Sequence, residues 1–398
     1  MPIRPTDSNI AWDNASGLHG KRILLLFPHM VTHGGGLHYC LKLAGLLLRE
    51  GATVGIVTMR ADNEKCAIPA GVELMSLDGP LTSAMGYWLL FPLWQARLNR
   101  QIKGWRPDVI VPQVFPSNWW GWLYRMLHPG TRVVWVCQEP SAFIHSRSWI
   151  RALQPFWKSW LGCLMQPLLA RVDVFLSRYS DRIVANSAFT GAMVEKVYGR
   201  KPAAIAYPAI DHAVFSPGLS RKKKEIITVA KLSRFKRVDF LLRVFRLVLE
   251  KHPDTLYHIV GTGEEGDALI ALARQLGIDG RVIFHGRLDE GALAMLYRQS
   301  LLFLHGAVAE PFGMAPLEAI ACGTPVIAHK SGGPTEFVND SCGRLIDSLD
   351  EEAWGREVAA FLTMLGSDSS YLVHVAANAE RFAWEETLLP LLDVIGER

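Results

Sequence analysis

The chain has 398 residues, 49% of them hydrophobic and 20% charged, and a formal net charge of +4. Its length suits two domains of ordinary size, and its apolar share supports packed cores and excludes a disordered chain. The mild basic balance, with no dense Lys/Arg stripe and no nucleic-acid-binding motif, argues against DNA or RNA as partner.

Residues 1–20 read as a loose leader without the apolar core of a signal peptide. The near-continuous apolar run Arg22–Phe27 predicts a central parallel strand. Gly34, Gly35 and Gly36 follow, then a helix over 37–50 and a strand over 53–57. This β–loop–α–β order opens a doubly wound domain. The three glycines let a ligand approach the backbone closely, with free N–H groups of the helix behind them; a plain flexible turn fits the same residues. They do not form G-x-G-x-x-G with an acid ending the second strand, so a nicotinamide site is rejected. The apolar run over 85–94 is broken by Pro92 and is too short to span about 30 Å of bilayer.

Further strands are expected over 108–111, 132–136 and 181–186, with Ser187 capping a helix over 188–198. The first domain is drawn over 21–212, a linker over 213–224, a second doubly wound domain over 225–375, and a C-terminal helix over 376–398. The linker carries Pro217, Gly218 and the basic run Arg221–Lys224. In the second domain, strands over 225–229, 256–260, 281–284, 300–304, 326–328 and 343–346 alternate with helices. The six cysteines form no C-x-x-C pair, which predicts buried, reduced thiols in a cytoplasmic protein.

The stretch from Ala307 to Val338, AVAEPFGMAPLEAIACGTPVIAHKSGGPTEFV, organises the rest. Backbone N–H groups of Phe312, Gly313 and Met314 lie at a helix N-terminus, which suits a phosphate or a sugar hydroxyl. Glu310 and Glu318 make sense there if they accept hydrogen bonds from hydroxyls, and a sugar nucleotide offers both kinds of group. In VAKLSRFKRVDF, Lys231 and Lys236 follow a strand and precede a helix, so both can reach a cleft between the domains.

EPFGMAPLEAIACGTPVIA closely resembles the E-x7-E segment of retaining glycosyltransferases of family 4. The resemblance runs from about Lys21 to about Trp384 and is stronger after Lys224. It implies an α/β GT-B fold, two doubly wound Rossmann-like domains facing a cleft, with the C-terminal helix over 376–398 crossing back to the first domain. It implies a nucleotide diphosphate sugar as donor, with no metal ion and no other cofactor. Lys231, where the family carries Arg, and Lys236 would bind the donor diphosphate. A Lys keeps the charge but loses the bidentate fork, and Arg234 is placed to compensate. Glu310 would touch the transferred sugar, Glu318 the ribose, and the N–H groups of Gly313 and Met314 the sugar or phosphate. Gly261, Gly263 and the His285–Arg287 turn would border the nucleobase, though the two glycines also fit a simple turn. Gly34, Gly35 and Gly36 would border donor phosphate and acceptor. Where many members end a strand in His, TRVVWVCQEP has Gln138, then Glu139. Gln cannot shuttle protons; Glu139 could, or it could simply hydrogen-bond the sugar, and His145 is another candidate.

YPAID and the run from His305 resemble mannosyltransferases that use GDP-mannose; UDP-glucose, UDP-galactose and UDP-N-acetylglucosamine stay open. Most of the thirteen Trp precede Lys158. Trp119, Trp120 and Trp122 precede Tyr124 and Arg125. Leu153, Phe156, Trp157, Trp160, Leu161 and Leu164 then recur near helical spacing, interleaved with Arg147, Arg151 and Lys158. Trp and Tyr favour the headgroup zone, and cations favour anionic lipid. The expectation is a peripheral protein on the cytoplasmic face of a membrane, acting on a lipid-linked saccharide or polysaccharide precursor; an ordinary core stripe fits the same spacing. Two rivals stand beside transfer: a nucleotide-sugar epimerase on this fold, and a non-catalytic donor-binding subunit of a glycosylation complex.

Overall fold

The computed structural model describes residues 17–31, 34–62, 66–77, 84–151, 156–218, 222–367 and 370–397. The leader over 1–20 and the linker over 213–224 lie partly outside the described residues, as do Leu153, Arg221 and the side chain of Phe156.

The first half contains β1 (Arg22–Leu26), β2 (His29–Met30), α1 (Gly35–Arg49), β3 (Thr53–Thr58), β4 (Arg60–Ala61), β5 (Glu73–Ser76), α2 (Ala84–Trp105), β6 (Val109–Pro112), α3 (Ser117–Leu127) and β7 (Arg132–Cys137). Then come α4 (Ala142–His145), α5 (Arg147–Arg151), α6 (Phe156–Ser177), β8 (Arg182–Ala185), α7 (Ala188–Tyr198) and β9 (Ala204–Ile205). Seven strands form one parallel sheet in the order β5-β3-β1-β6-β7-β8-β9. β1 is central, so both its faces are covered. Ile23 and Leu25 pack with Leu43 and Leu47 of α1, while Leu24 and Leu26 pack with Leu98 of α2 and Trp120 of α3. That double burial is why the run is apolar without alternation.

The second half contains β10 (Lys223–Val229), α8 (Val238–Leu249), β11 (Leu256–Val260), α9 (Gly266–Gln275), β12 (Val282–Gly286), α10 (Glu290–Gln299), β13 (Ser300–His305), α11 (Met314–Ala321), β14 (Val326–His329), β15 (Gly343–Ile346) and α12 (Glu351–Ser367). Its six strands run β12-β11-β10-β13-β14-β15, again all parallel. Both sheets reverse strand order beside their first strand, and in such sheets ligands bind at the carboxyl ends of the strands near that reversal.

The chain ends with α13 (Ser370–Val373), α14 (Trp384–Thr387) and α15 (Leu389–Gly396). In place of one helix over 376–398, this tail is a series of short helices that pack against the first sheet. Trp384, Leu388, Leu391 and Leu392 are buried in the core of the first sheet, beside Ile23 and Val54. Arg132 Nη2 donates to Val394 O at 2.7 Å, and Lys21 Nζ donates to Gly396 O at 2.7 Å. Both cations thereby meet carbonyls at the end of α15, the end that favours positive charge.

The apolar run around Pro92 is part of a 22-residue helix that continues through the proline and buries Trp94, Leu98, Ile102 and Trp105. Five cysteines are buried as expected, but Cys163 is exposed on α6. The basic run over 222–224 is structural in part: β10 begins at Lys223, and burial pushes the Lys222 amine down to about 7.

Candidate active site

Lys236 ends a 3-10 turn over Arg234–Lys236 just after β10, and Glu310 follows β13. Adjacent parallel strands thus deliver both to one place. Lys236 Nζ donates to Glu310 Oε2 at 2.5 Å, and His305 Nε2 lies 3.8 Å from the same oxygen. Burial alone would raise the Glu310 carboxyl; Lys236, with His305 behind it, more than offsets this, and the group sits below its ordinary value. His305 is pushed by burial down to about 4, so it is neutral at neutral pH. The sequence assigns these two side chains to different parts of a donor, yet they touch each other.

Glu318 lies on α11, a turn beyond Met314. Tyr297 Oη donates to Glu318 Oε2 at 3.1 Å. Burial raises this carboxyl to about 7, with Tyr297 opposing and Glu290 adding to the rise. Gly313, at φ +99°, turns the chain into α11, whose first residue, Met314, follows Glu310 closely in the chain. The Ser331–Pro334 turn lies directly on the Glu310–Phe312 backbone. Gly333 N donates to Glu310 O at 2.7 Å, and a Cβ on Gly333 would stand 2.3 Å from Phe312 Cα.

Lys231 and Arg234 are exposed on the loop after β10. That loop is clamped by Ala230 N to Val260 O and Leu232 N to Thr262 O, both 3.0 Å. A Cβ on Gly261 would stand 1.9 Å from Ala230 O, and one on Gly263 2.2 Å from Leu232 O. The two glycines therefore have a packing reason of their own: they let the loop carrying Lys231 lie flat against its neighbour. Gly261 N donates to Gly286 O at 2.7 Å, which sets the turn bearing exposed Arg287 beside them.

The first domain supplies the facing wall. Gly34 and Gly35 are exposed at the start of α1. A Cβ on Gly35 would stand 3.3 Å from Met314 Cγ, and one on Gly36 2.5 Å from Gln138 Oε1. The glycine loop thus touches both Gln138 and the second domain. Gln138 Nε2 donates to Gln113 Oε1 at 3.3 Å. Glu139 keeps an exposed surface, but the surrounding protein desolvates it and raises its carboxyl; Glu310 adds to the rise and Lys236 opposes it. Glu139, Glu310 and Lys236 therefore share one electrostatic environment across the cleft. His145 does not join them. Its Nε2 lies 2.7 Å from Asp173 Oδ2, and Asp173 is fully buried between helices.

One contact across the cleft was not read from the sequence. Glu336 Oε2 accepts from Ala188 N and Glu336 Oε1 from Phe189 N, each at 2.9 Å, at the N-terminus of α7. Tyr207 Oη donates to Glu336 Oε2 at 2.9 Å, and Ser187 Oγ donates to Pro311 O at 2.6 Å. A carboxylate on orphan N–H donors at a positive helix end is favourable for both. The sequence signalled Ser187 as a cap, but not that Glu336 reaches the same helix end. Among the described residues, no group of three or more His, Cys, Asp or Glu is placed to hold a metal ion.

The family model for glycosyl transferases group 1 matches residues 210–372, and the model for Glycosyltransferase Family 4 matches residues 33–214. The chain belongs to the family 4 glycosyltransferases of the GT-B fold. The first match contains Lys231, Lys236, Glu310, Glu318 and Glu336; the second contains the glycine loop, Gln138 and Glu139. The D-inositol 3-phosphate glycosyltransferase of Rhodococcus jostii is 32% identical over 234 residues, covering 54% of this chain and 52% of that one. That of Rhodococcus opacus is 34% identical over 238 residues, covering 54% and 52%. The match therefore spans about half the length of these curated relatives. Two solved structures share the fold at low identity. Anabaena Alr3699/HepE, in complex with UDP and glucose, has a TM-score of 0.71 at 20% identity over 94% of this chain and 98% of that one. Sucrose-phosphate synthase from Thermosynechococcus elongatus has a TM-score of 0.79 at 19% identity, with the same coverage.

Proposed function

We propose that this protein is a retaining hexosyltransferase, moving a hexose from a nucleotide diphosphate sugar to a lipid-linked or polysaccharide-precursor acceptor. The observation that carries this reading is the Lys236–Glu310 contact at the N-terminus of α11, with Glu139 facing it from the other domain. Breaking the sugar–phosphate bond leaves a nucleoside diphosphate with added negative charge. Lys236, Lys231 and the free N–H groups of α11 neutralise that charge where it develops, so no metal ion is needed. Glu310, still paired with Lys236 as the amine engages the diphosphate, accepts hydrogen bonds from the sugar. Glu318, ionised above about pH 7, accepts them from the ribose.

Glu139 hydrogen-bonds the sugar or takes the acceptor proton, the place that Gln138 cannot fill. Arg234, Arg287 and the loop shaped by Gly261 and Gly263 border the nucleotide. The first domain over 21–212 holds the acceptor, the second over 225–375 the donor, and the protein works on the cytoplasmic face of a membrane. Mannose from GDP-mannose is the first donor to test, on the resemblance of YPAID and the run from His305. UDP-glucose is the second, because Anabaena HepE was solved with UDP-glucose.

Incubation with each radiolabelled nucleotide sugar and a membrane lipid extract tests the reading. Label passing to lipid, with the donor's anomeric configuration kept, is the expected result. Free epimerised nucleotide sugar would show an epimerase instead, and binding without turnover a donor-binding subunit.

A further inference from the structure

Only one acid occurs between residues 156 and 178, and the fold turns it inward. Asp173 of α6 is fully buried, and its carboxylate accepts from Trp119 Nε1 of α3 and, at 2.7 Å, from Tyr198 Oη of α7. His145 of α4 completes the grip. Contacts from three elements on one buried charge fix the rotation of α6 about its axis, because turning the helix would strand that charge without partners.

The face left outward is apolar. Trp157 is 48% exposed, Trp160 59%, Leu164 62%, Leu168 58% and Phe175 47%. Positions 157, 160, 161, 164, 168, 171 and 175 fall on one stripe of a helix, so these residues form a continuous surface. A soluble monomer seldom shows so large a run of exposed Trp and Leu. Cations edge the stripe. Lys158 Nζ lies 5.7 Å from the Trp157 ring centre, the Arg178 guanidinium lies 4.4 Å from that of Phe175, and Arg171 is exposed within the stripe. No helix among the described residues is long and apolar enough to cross a membrane.

We infer that the outward face of α6 is a docking surface for an anionic phospholipid bilayer. The helix lies in the membrane plane, its Trp and Leu side chains at the boundary of headgroups and acyl chains, and Lys158, Arg171 and Arg178 at the lipid phosphates. Charge selects this occupant over a second copy of the chain: two such faces would set cations against cations with no exposed acid between them. The inference extends the lipid-linked acceptor reading and rests on it for its use. Its test needs no sugar donor, so the two can fail separately.

The test is co-sedimentation of the full chain with phosphatidylcholine vesicles, with and without phosphatidylglycerol, at low and high salt. The protein is expected to pellet with the acidic vesicles at low salt and to be released by salt. Leu164→Ser with Leu168→Ser should weaken binding by about tenfold or more. Lys158→Glu or Arg171→Glu should each weaken it by about fivefold or more. All four positions lie on the surface, and unchanged thermal unfolding would confirm intact folding. Transfer to a short-chain, water-soluble acceptor should be unchanged in these variants, which separates lost docking from lost chemistry. The inference is overturned if the wild-type protein stays in the supernatant with acidic vesicles at low salt, or if the leucine variant pellets equally well. It is also overturned if ultracentrifugation shows a lipid-free dimer that the leucine variant disperses.

Discussion

The two walls of the cleft are made in different ways. On the second domain, Lys236, Glu310, Glu318 and the N-terminus of α11 follow two adjacent strands of one sheet, β10 and β13, and charge is paired at short range. On the first domain, the glycine loop, Gln138 and Glu139 come from separate strand ends, and only Glu139 is ionisable. The second wall holds the groups that can answer charge developing on a departing diphosphate. The first shapes the crevice and adds one carboxylate. Glu336 joins them, since it belongs to the second domain but satisfies N–H donors of α7 in the first.

Four predictions bear on that contrast. The largest effect is expected at Lys236: Lys236→Ala should lower kcat by about a hundredfold to a thousandfold, read in a steady-state transfer assay, because a cation at the leaving group is lost. The same substitution strands Glu310 without its main cation, so its carboxyl should titrate higher. Next comes the clasp between domains. Glu336→Ala removes two helix-end acceptor contacts and should lower kcat/KM by about tenfold, with about 1–2 kcal/mol lost in thermal unfolding. An increase in radius of gyration on scattering would show that the walls separate.

Glu318 gives a pH signature. Its carboxyl is raised from the ordinary 4.5 to about 7, so the folded chain holds a proton there that the unfolded chain has released. Folding stability should therefore fall as pH rises from about 4.5 to about 7, and Glu318→Gln should flatten that slope. Nucleotide affinity should move the other way, tightening as pH rises through about 7, when the carboxylate becomes available to the ribose. Calorimetric titration over pH reads both trends. The smallest effect is expected at Gly36→Ala. The new methyl would press on Gln138 Oε1, the end of a side chain able to rotate aside, so a change in KM of about twofold to fivefold is expected, with kcat kept.

Much of the second domain was legible because its signals are local. The strands over 256–260 and 343–346 fall where turn residues and apolar runs place them. Lys231, Lys236, Glu310 and Glu318 stand in short motifs that resemble those of family 4, and that resemblance, not spacing alone, singled them out. The first domain was harder. β5 is half-exposed and lacks a clean alternation, and α2 passes through a proline that reads as a break. The partner of Glu336 lies 148 residues away, and no local pattern records a contact made by the packing of two domains. The two roles of Asp173, burial and orientation of α6, were hidden for the same reason: its partners come from three other helices.

The central claim is that Lys236 and Glu310 act as one unit on an activated sugar. A double-mutant cycle in the lipid-transfer assay, using Lys236→Ala, Glu310→Ala and both together, tests it most directly. The account predicts strong coupling, with the double variant about as slow as the slower single variant. Losses that simply multiply, or single variants that transfer sugar at the wild-type rate, would contradict it.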